Sequence, residues 1–560
     1  MGQIIPFIKS VGAYRKLAEE RAGKEDFSGA LAFLFSAKSI SLTYEVIMDI
    51  ADAYADMGLL ELSNKFWFMY MDKAPKEKVS VAYEELAINF FYLDNYWASS
   101  YYFHLKLTTD GQIMKDGLDK EIIDFFSGEE MKKNAYRVAY PFDRADYTFE
   151  TKRAKHALAI GAFEEARLSL LRIPQENRTE EISGDLAVAS FMSDELELAE
   201  AVCRDSLVRH GENVTALCNL STVFDMREDA DNAEYYYRKA LGVRKGEKTE
   251  AYKIATCAIE REDHLTVKEC LENILDDRPY ELTMRFFYGV ALINLGRFDR
   301  AKDQLKTAYR WNPSDSIVKY YLDLADRLIS GEQTAEKLLP LEYVKELPKK
   351  VAKKYCQKIQ TIAKTPEKIE WAVRNDEMKN LLEWAVYHAD GQTARDAVYI
   401  LSSGYTPYAK KLLLSALIDP EVKEEIKRVI IYVLIVKGHK EKFGAVAGNF
   451  YVRIKPKKLA CERKDDGAVY FSAYALCVAR VAFWDGDGLD KVALITDKVY
   501  NKLKDKISDR DVTNEEIAAL VVSECAFKWC KSDRDVMNFF EIEKQKLNVL
   551  RGLLKGDKND

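Results

Sequence analysis

The sequence has little proline and no long apolar run, and both absences exclude classes of protein. Only 12 of the 560 residues are proline, so long helices can form without interruption. The longest purely apolar run, Val429–Val436, has eight residues, whereas a helix that crosses a bilayer needs about 20. We therefore expect a helical protein with no membrane-spanning segment and no membrane partner.

Cysteine and histidine are also scarce, and their spacing matches none of the common metal or redox motifs. The nine cysteines are scattered without a Cys-x-x-Cys pair, and the six histidines lie far apart. No His-Glu-x-x-His motif, glycine-rich phosphate loop or nucleophile elbow occurs. We expect no cofactor, no metal and no enzymatic activity. Single cysteines and the lack of a signal-peptide pattern favour a reducing, cytoplasmic location.

What the sequence does contain is a pattern that repeats about every 34 residues between Tyr147 and Pro313. Small or β-branched residues mark the second helix of each predicted hairpin, at Ala166, Ala199, Ala233, Val267 and Ala301. Small residues mark the first helices, at Ala154, Ala187, Ser221, Ala255 and Gly289. Turns are predicted at Gly161, Asp194, Glu228, Glu262 and Gly296. The period predicts helical hairpins that bury their apolar faces against one another.

The last of these units resembles the tetratricopeptide repeat (TPR). The residues that carry the resemblance are Gly289, Leu292, Leu295, Gly296, Phe298, Ala301, Leu305, Ala308 and Pro313. Residues 147–330 therefore resemble five TPR units followed by a capping helix. A degraded form of the pattern occupies residues 1–111, and residues 112–146 are either a linker or a worn repeat. The resemblance implies an all-α fold, a TPR-type superhelix.

The carboxy-terminal half does not keep the 34-residue register. Amphipathic stretches with short breaks make residues 331–440 resemble HEAT-like helical pairs. Residues 441–465 alternate apolar side chains between Gly444, Gly448 and Pro456, which predicts a short β-hairpin or an extended arm. Residues 466–560 are predicted to form a helical bundle.

Charge divides the chain in a similar way. Residues 331–560 carry a net charge of +6, whereas residues 1–330 carry −13. Lysines cluster near Lys349 and again near Lys457. Such clusters can meet nucleic acid, meet the acidic array, or form a solvated helix face.

Residues 533–555 resemble the helix-turn-helix of bacterial DNA-binding proteins. Val536 and Ile542 match that pattern, whereas Met537 and Glu541 replace its usual small residue and glycine. The resemblance implies four candidate nucleic-acid contacts, Lys544, Gln545, Lys546 and Arg551. The alternative is a degenerate three-helix cap.

The TPR resemblance implies that a partner lies on the concave face built from the first helices. Side chains at the corresponding positions include Lys155, Phe191, Thr222, Tyr252, Thr256, Ile259, Phe286, Val290 and Ile293. The family's clamp for a peptide carboxylate is not reproduced by Lys155, Asn219, Lys253 and Asn294. An apolar or aromatic anchor from the partner is therefore expected, unless Phe286 and Ile293 pack against neighbouring helices.

Two functions from different classes follow. The first is a scaffold or adaptor that binds a segment of another protein in the concave TPR face, through contacts that survive moderate salt. The alternative is a nucleic-acid-linked regulator with a TPR sensing array and a basic carboxy-terminal region, whose binding weakens steeply with salt. A catalytic function has no residue constellation to support it.

Overall fold

The computed structural model describes residues 10–110, 147–243, 248–338, 340–462, 467–507, 512–530 and 532–555. These residues are overwhelmingly helical and contain one two-stranded sheet, which confirms the predicted fold class. No helix in these ranges combines the length and the apolar character that a bilayer crossing requires. The predicted linker or worn repeat at 112–146 lies outside the described residues.

The chain divides into two compact units. Described residues up to 110 and from 347 onward form one unit, which we call the discontinuous unit. Residues 147–346 belong to the other, which we call the array unit.

The amino-terminal part of the discontinuous unit is three helical hairpins. Their helices are α1 (Val11–Ala22), α2 (Phe27–Ile40), α3 (Tyr44–Asp56), α4 (Leu60–Lys73), α5 (Val79–Tyr92) and α6 (Tyr96–Asp110). Within each hairpin the two helices pack together, and the second helix also contacts the first helix of the next. Ser10, Asp26 and Thr43 begin the first three helices by accepting a backbone N–H with the side chain.

The array unit contains five further hairpins and a capping helix. Its helices are α7 (Thr148–Ala159), α8 (Phe163–Leu171), α9 (Glu180–Met192), α10 (Leu196–His210), α11 (Val214–Met226), α12 (Ala230–Val243), α13 (Lys248–Glu260), α14 (His264–Asp277), α15 (Leu282–Asn294), α16 (Phe298–Trp311) and α17 (Ser316–Ser330). These hairpins agree with the predicted TPR-type superhelical fold, and α17 follows them. After α17, residues 331–338 and 340–346 contain one 3-10 turn, at Ala335–Lys337, and no strand.

The same turn joins the helices of all eight hairpins. One turn residue has a positive φ in each, and these residues are Glu25, Gly58, Asp94, Gly161, Asp194, Glu228, Glu262 and Gly296. The next residue then donates its N–H to the carbonyl five positions earlier, as Arg297 does to Leu292 at 2.8 Å. This bond satisfies a carbonyl that the helix end would otherwise leave unpaired. The turn positions predicted from the repeat are therefore confirmed.

Small residues on the helices allow close approach, as the repeat predicts. Ala154, Ala187, Ala199 and Ala233 are each fully buried in the array. A side-chain carbon added to Gly289 in α15 would lie 2.8 Å from Cγ of Leu305 in α16. Such a distance is too short for two carbon atoms, so α15 and α16 require glycine here.

The carboxy-terminal part of the discontinuous unit begins with six helices. They are α18 (Lys349–Ala363), α19 (Pro366–Ala372), α20 (Asp376–His388), α21 (Gly391–Ser403), α22 (Pro407–Ile418) and α23 (Glu424–Val436). Strands β1 (Phe443–Ala447) and β2 (Phe450–Ile454) follow as the predicted hairpin and pair antiparallel, with Phe443 opposite Ile454. The last helices are α24 (Ala468–Val481), α25 (Leu489–Ile507), α26 (Asn514–Cys525), α27 (Asp533–Phe540) and α28 (Lys544–Lys555). The assignment of 331–440 to HEAT-like pairs stays a prediction.

The two parts of the discontinuous unit contact each other through the β-hairpin and α22. The hydroxyl of Tyr102 in α6 donates to the carbonyl of Asn449 at 2.8 Å and accepts the N–H of Tyr451 at 3.1 Å. Lys65 in α4 forms an ion pair with the buried Asp419 just after α22, at 2.5 Å. Residues more than 300 positions apart in the sequence therefore contribute to one core.

Candidate functional site

The candidate site is the exposed side of the first helices in the array unit. First helices of successive hairpins contact each other along α7, α9, α11 and α13. Polar side chains bridge neighbouring helices: Lys155 Nζ lies 2.6 Å from a carboxylate oxygen of Glu181, and Thr222 Oγ1 donates to Glu260 at 3.0 Å. We call this surface the first-helix face.

Carboxyl groups on this face are only partly neutralised. Burial raises the pKa of Asp185 in α9, and the opposing lysine Lys253 in α13 does not fully offset it. Burial also raises the pKa of Asp225 in α11, against the opposing charge of Arg261. The Arg261 guanidinium lies 3.2 Å from Asp225 and 3.1 Å from Glu234. A cation from a partner would therefore relieve an existing electrostatic cost.

Five of the nine residues proposed from the sequence lie where a partner could reach them. Lys155 and Thr256 are exposed, and Thr222, Tyr252 and Ile259 are half-buried. They come from α7, α11 and α13, so they share the first-helix face. The Thr256 hydroxyl donates to the Tyr252 carbonyl at 3.0 Å within its own helix.

The other four lie in the core instead. Phe286, Val290 and Ile293 in α15 are fully buried, and Phe191 in α9 is 9% exposed. The Phe286 ring packs edge-on against Tyr321 of the capping helix, with centroids 5.0 Å apart. Phe191 packs with Ala199 and Val223 of adjacent helices. Phe286 thus packs against a neighbouring helix, as the sequence analysis allowed, and these four side chains provide no exposed apolar anchor.

One repeat position on the first helices is polar in three successive units but was not among the nine proposed contacts. Asp185, Asn219 and Lys253 occupy it at intervals of 34 residues. Asp185 and Lys253 are half-buried, whereas Asn219 is 5% exposed and its side-chain amide donates to the Gly184 carbonyl at 3.3 Å. The recurrence of polar residues at this position is the signal available in the sequence.

Two of the four candidate nucleic-acid residues are engaged within the chain. Arg551 in α28 pairs with Asp533 in α27 at 2.6 Å, and this contact lowers the pKa of Asp533. Lys546 pairs with the buried Glu516 of α26 at 2.5 Å. Lys544 and Gln545 are exposed at the start of α28. The contacts tie α26, α27 and α28 together, as expected for the three-helix alternative.

The turn before α28 explains one departure from the helix-turn-helix pattern. Glu541 has a φ of 58°, in the left-handed region that glycine adopts most readily. The family's usual glycine would therefore fit the same backbone.

Across the described ranges, no three His, Cys, Asp or Glu side chains are arranged to hold a metal ion. All nine cysteines are free thiols, and eight of them are buried. Burial raises the pKa of the Cys203 thiol to about 12. Such thiols are poor nucleophiles near neutral pH.

Comparison with solved structures finds TPR-domain proteins. The TPR domain of P58(IPK) has 12% identity and a TM-score of 0.24, covering 58% of this chain and 99% of its own. Yeast Tom70 has 11% identity and a TM-score of 0.27, covering 89% of this chain and 99% of its own. The human IFIT1 dimer with m7Gppp-AAAA has 15% identity and a TM-score of 0.27, covering 77% and 87%. These scores are low, so the TPR-type assignment rests on the hairpins of this chain.

No protein-family model matches the sequence, and no curated protein matches it.

Proposed function

We propose that this protein is an interaction scaffold that binds a segment of a partner protein on the first-helix face of the array unit. The observation that carries the proposal is the stripe of polar side chains on α7, α9, α11 and α13, in which Lys155 contacts Glu181 and Thr222 donates to Glu260. Its members bridge successive hairpins, and its carboxyl groups at Asp185 and Asp225 remain partly unneutralised. An extended segment with cationic side chains complements such a stripe.

The polar side chains of the first-helix face predict partner binding that depends on salt, whereas the sequence alone predicted binding that survives moderate salt. Phe191, Phe286, Val290 and Ile293 are buried, so apolar anchoring at these positions is not available to a partner. The accessible residues are polar or charged, apart from the half-buried Tyr252 and Ile259. Screening by salt weakens contacts between exposed charges, with a Debye length of about 10 Å at 0.1 M. We therefore expect partner binding to fall as salt rises.

The test is capture of partners by the full-length chain and by a variant blocked on the face. Thr256→Arg places a long cationic side chain at an exposed position of α13, on the first-helix face. The control is Asp231→Arg, which adds the same side chain to the exposed surface of the second helix α12. Capture is measured by mass spectrometry at about 0.1 M and about 0.5 M salt.

We expect proteins captured by the unchanged chain at the lower salt to be lost with Thr256→Arg and kept with Asp231→Arg. Equal capture by both variants would place the binding surface elsewhere. The nucleic-acid alternative is not proposed, because Lys546 and Arg551 already pair with acidic residues of the chain.

A further inference from the structure

The chain itself lies against the far end of the array unit between Leu341 and Glu346. The burial of its side chains alternates there: Leu341 is buried, Tyr343 and Lys345 are half-buried, and Glu342, Val344 and Glu346 are exposed. The backbone bends between Tyr343 and Glu346, where the Glu346 N–H donates to the Val344 carbonyl at 2.8 Å. We call residues 341–346 the cis segment.

The array holds the backbone of the cis segment at both ends. The side-chain amide of Asn294, the last residue of α15, donates to the Leu341 carbonyl at 2.9 Å and accepts the Leu341 N–H at 2.8 Å. The Tyr321 hydroxyl of α17 donates to the Glu346 carbonyl at 3.1 Å. These bonds use only main-chain groups of the segment, so they fit any peptide that adopts the same backbone conformation.

The inward side chains each meet a site of matching chemistry. The Tyr343 ring lies edge-on to Phe287, with centroids 6.3 Å apart, and its hydroxyl is 3.0 Å from His264 Nδ1. Lys345 Nζ lies 2.7 Å from Asp315, whose carboxylate also accepts two N–H groups at the start of α17. Leu341 is only 5% exposed. The array therefore buries the leucine of the segment and contacts its tyrosine and its lysine, which stand at alternate positions.

We propose that this surface is a recognition site for protein segments with the pattern Leu-x-Tyr-x-Lys, and that the cis segment occupies it until a partner segment of that pattern displaces it. The surface is defined by His264, Phe287, Asn294, Asp315 and Tyr321. The inference rests on the proposed scaffold function and specifies the partner sequence that this end of the array accepts. The lysine of the pattern pairs with Asp315, just as a cationic partner segment is proposed to pair with carboxyl groups of the first-helix face.

Competition with the cis segment determines the apparent affinity of the array for such a partner. A tethered segment acts at an effective concentration of order 1 mM, so a free peptide must overcome it. The apparent Kd rises in inverse proportion to the fraction of molecules with the surface open. A substitution that weakens only the binding of the cis segment to the array must therefore lower the Kd of a free peptide with the original sequence.

The experiment titrates a fluorescently labelled synthetic peptide with the sequence of residues 340–347 into the full-length chain, followed by anisotropy. Tyr343→Ala removes the aromatic side chain from the cis segment. Val344→Ala changes its neighbour, which is 45% exposed and faces solvent, and serves as the matched control. We expect the Kd for Tyr343→Ala to be at least about tenfold lower than for the unchanged chain, with Val344→Ala unchanged.

Two further variants locate the binding and guard against misfolding. Asn294→Ala, combined with Tyr343→Ala, removes the backbone clamp and is expected to abolish the gain. Lys345→Ala weakens the cis segment through a half-exposed ion pair, so it provides the same test if Tyr343→Ala lowers the helical circular dichroism signal. A peptide with alanine in place of its tyrosine is expected to bind none of the chains.

The proposal is overturned if folded Tyr343→Ala and Lys345→Ala bind the peptide no more tightly than Val344→Ala. It is also overturned if the gain survives Asn294→Ala, because the peptide would then lie elsewhere. Failure of the scaffold function appears separately, as partner capture that Thr256→Arg leaves intact.

Discussion

At the scale of single residues, Lys427 shows how an internal lysine is accommodated. It lies in α23, is 1% exposed, and donates from Nζ to the Val446 carbonyl in β1 at 2.6 Å. Burial lowers its pKa to about 8, against the opposing effect of the carboxylates of Asp419 and Glu424. The ammonium group therefore supplies a hydrogen bond to the β-hairpin while its charge opposes folding.

Stability of the discontinuous unit should rise with pH because of Lys427. Below pH 8 the lysine is protonated in both the folded and the unfolded chain, so the full cost of burying the charge is present. Between pH 8 and the unfolded value of about 10.4 the unfolded chain binds more protons, and the free energy of unfolding increases with pH. Relative to Lys427→Met, the unchanged chain should gain up to about 3 kcal/mol across this range.

This prediction is checked by denaturant unfolding at about pH 7, 9 and 10.5. Lys437→Met is the control, because Lys437 is exposed at the end of the same helix. Its difference from the unchanged chain should not depend on pH. A pH-independent difference for Lys427→Met as well would mean that the folded and unfolded chains bind the lysine proton equally, and that burial does not lower the pKa of this amine.

Single residues also show what the sequence could and could not predict. Turn positions such as Glu228 and Glu262 are predicted because the period of 34 residues makes them equivalent to turn glycines in other units. The burial of Phe286 was not decided, because Tyr321, which packs against it, lies 35 residues away in a helix outside the repeat. A periodic pattern identifies equivalent positions, but the atoms that cover one of them depend on chain beyond the period.

At the scale of helices, the close approach of α15 and α16 depends on Gly289. A methyl group there would lie 2.8 Å from Leu305 Cγ and 2.9 Å from Cδ2. Gly289→Ala should therefore lower the free energy of unfolding by about 1–3 kcal/mol, because Leu305 is fully buried and has little room to move.

Gly242 in α12 provides the matched control. A methyl group at this position meets nothing within 4 Å. Gly242→Ala should raise stability by up to about 1 kcal/mol, since alanine favours a helix more than glycine does. Urea unfolding followed by circular dichroism measures both. Equal effects of the two substitutions would mean that helix propensity, rather than packing, determines the result at Gly289.

At the scale of helices, the sequence predicts where a helix lies along the chain better than which side of it faces solvent. A capping helix is predicted within residues 147–330, where α17 occurs, and a hairpin or extended arm within 441–465, where β1 and β2 occur. The accessible side of each helix is predicted less well, because four of the nine proposed contacts are buried. One step along a helix is about 100° of rotation, so an analogy of this kind identifies the helix more reliably than its outward face.

At the scale of the whole molecule, order in the sequence and order in space differ. Residues 10–110 share the hairpin geometry of the array, yet they pack with residues beyond 347 in one unit. A repeat pattern encodes contacts between neighbours in the sequence. The bond between Tyr102 and Asn449 joins positions 347 residues apart and leaves no periodic signal. The sequence analysis therefore predicted the hairpins without predicting what they pack against.

The ion pair of Lys65 and Asp419 tests whether these distant parts unfold together. Asp419 is 1% and Lys65 18% exposed in their side chains. Burial alone would lower the pKa of Lys65, but the Asp419 carboxylate outweighs it and the pKa is raised. Asp419→Asn should therefore leave a buried cation without its partner and cost about 3–5 kcal/mol.

Hydrogen exchange measured by mass spectrometry separates the effect by region. If residues 10–110 and 347–555 form one cooperative unit, Asp419→Asn should lower protection of α4 as much as that of α22, and leave α15 and α16 unchanged. Asp376→Asn, which removes the exposed partner of Lys379, should change protection little, because water and salt screen an ion pair at an exposed site. Loss of protection confined to α22 would show that the amino-terminal hairpins fold independently, and that the contacts through Tyr102 and Lys65 follow folding rather than produce it.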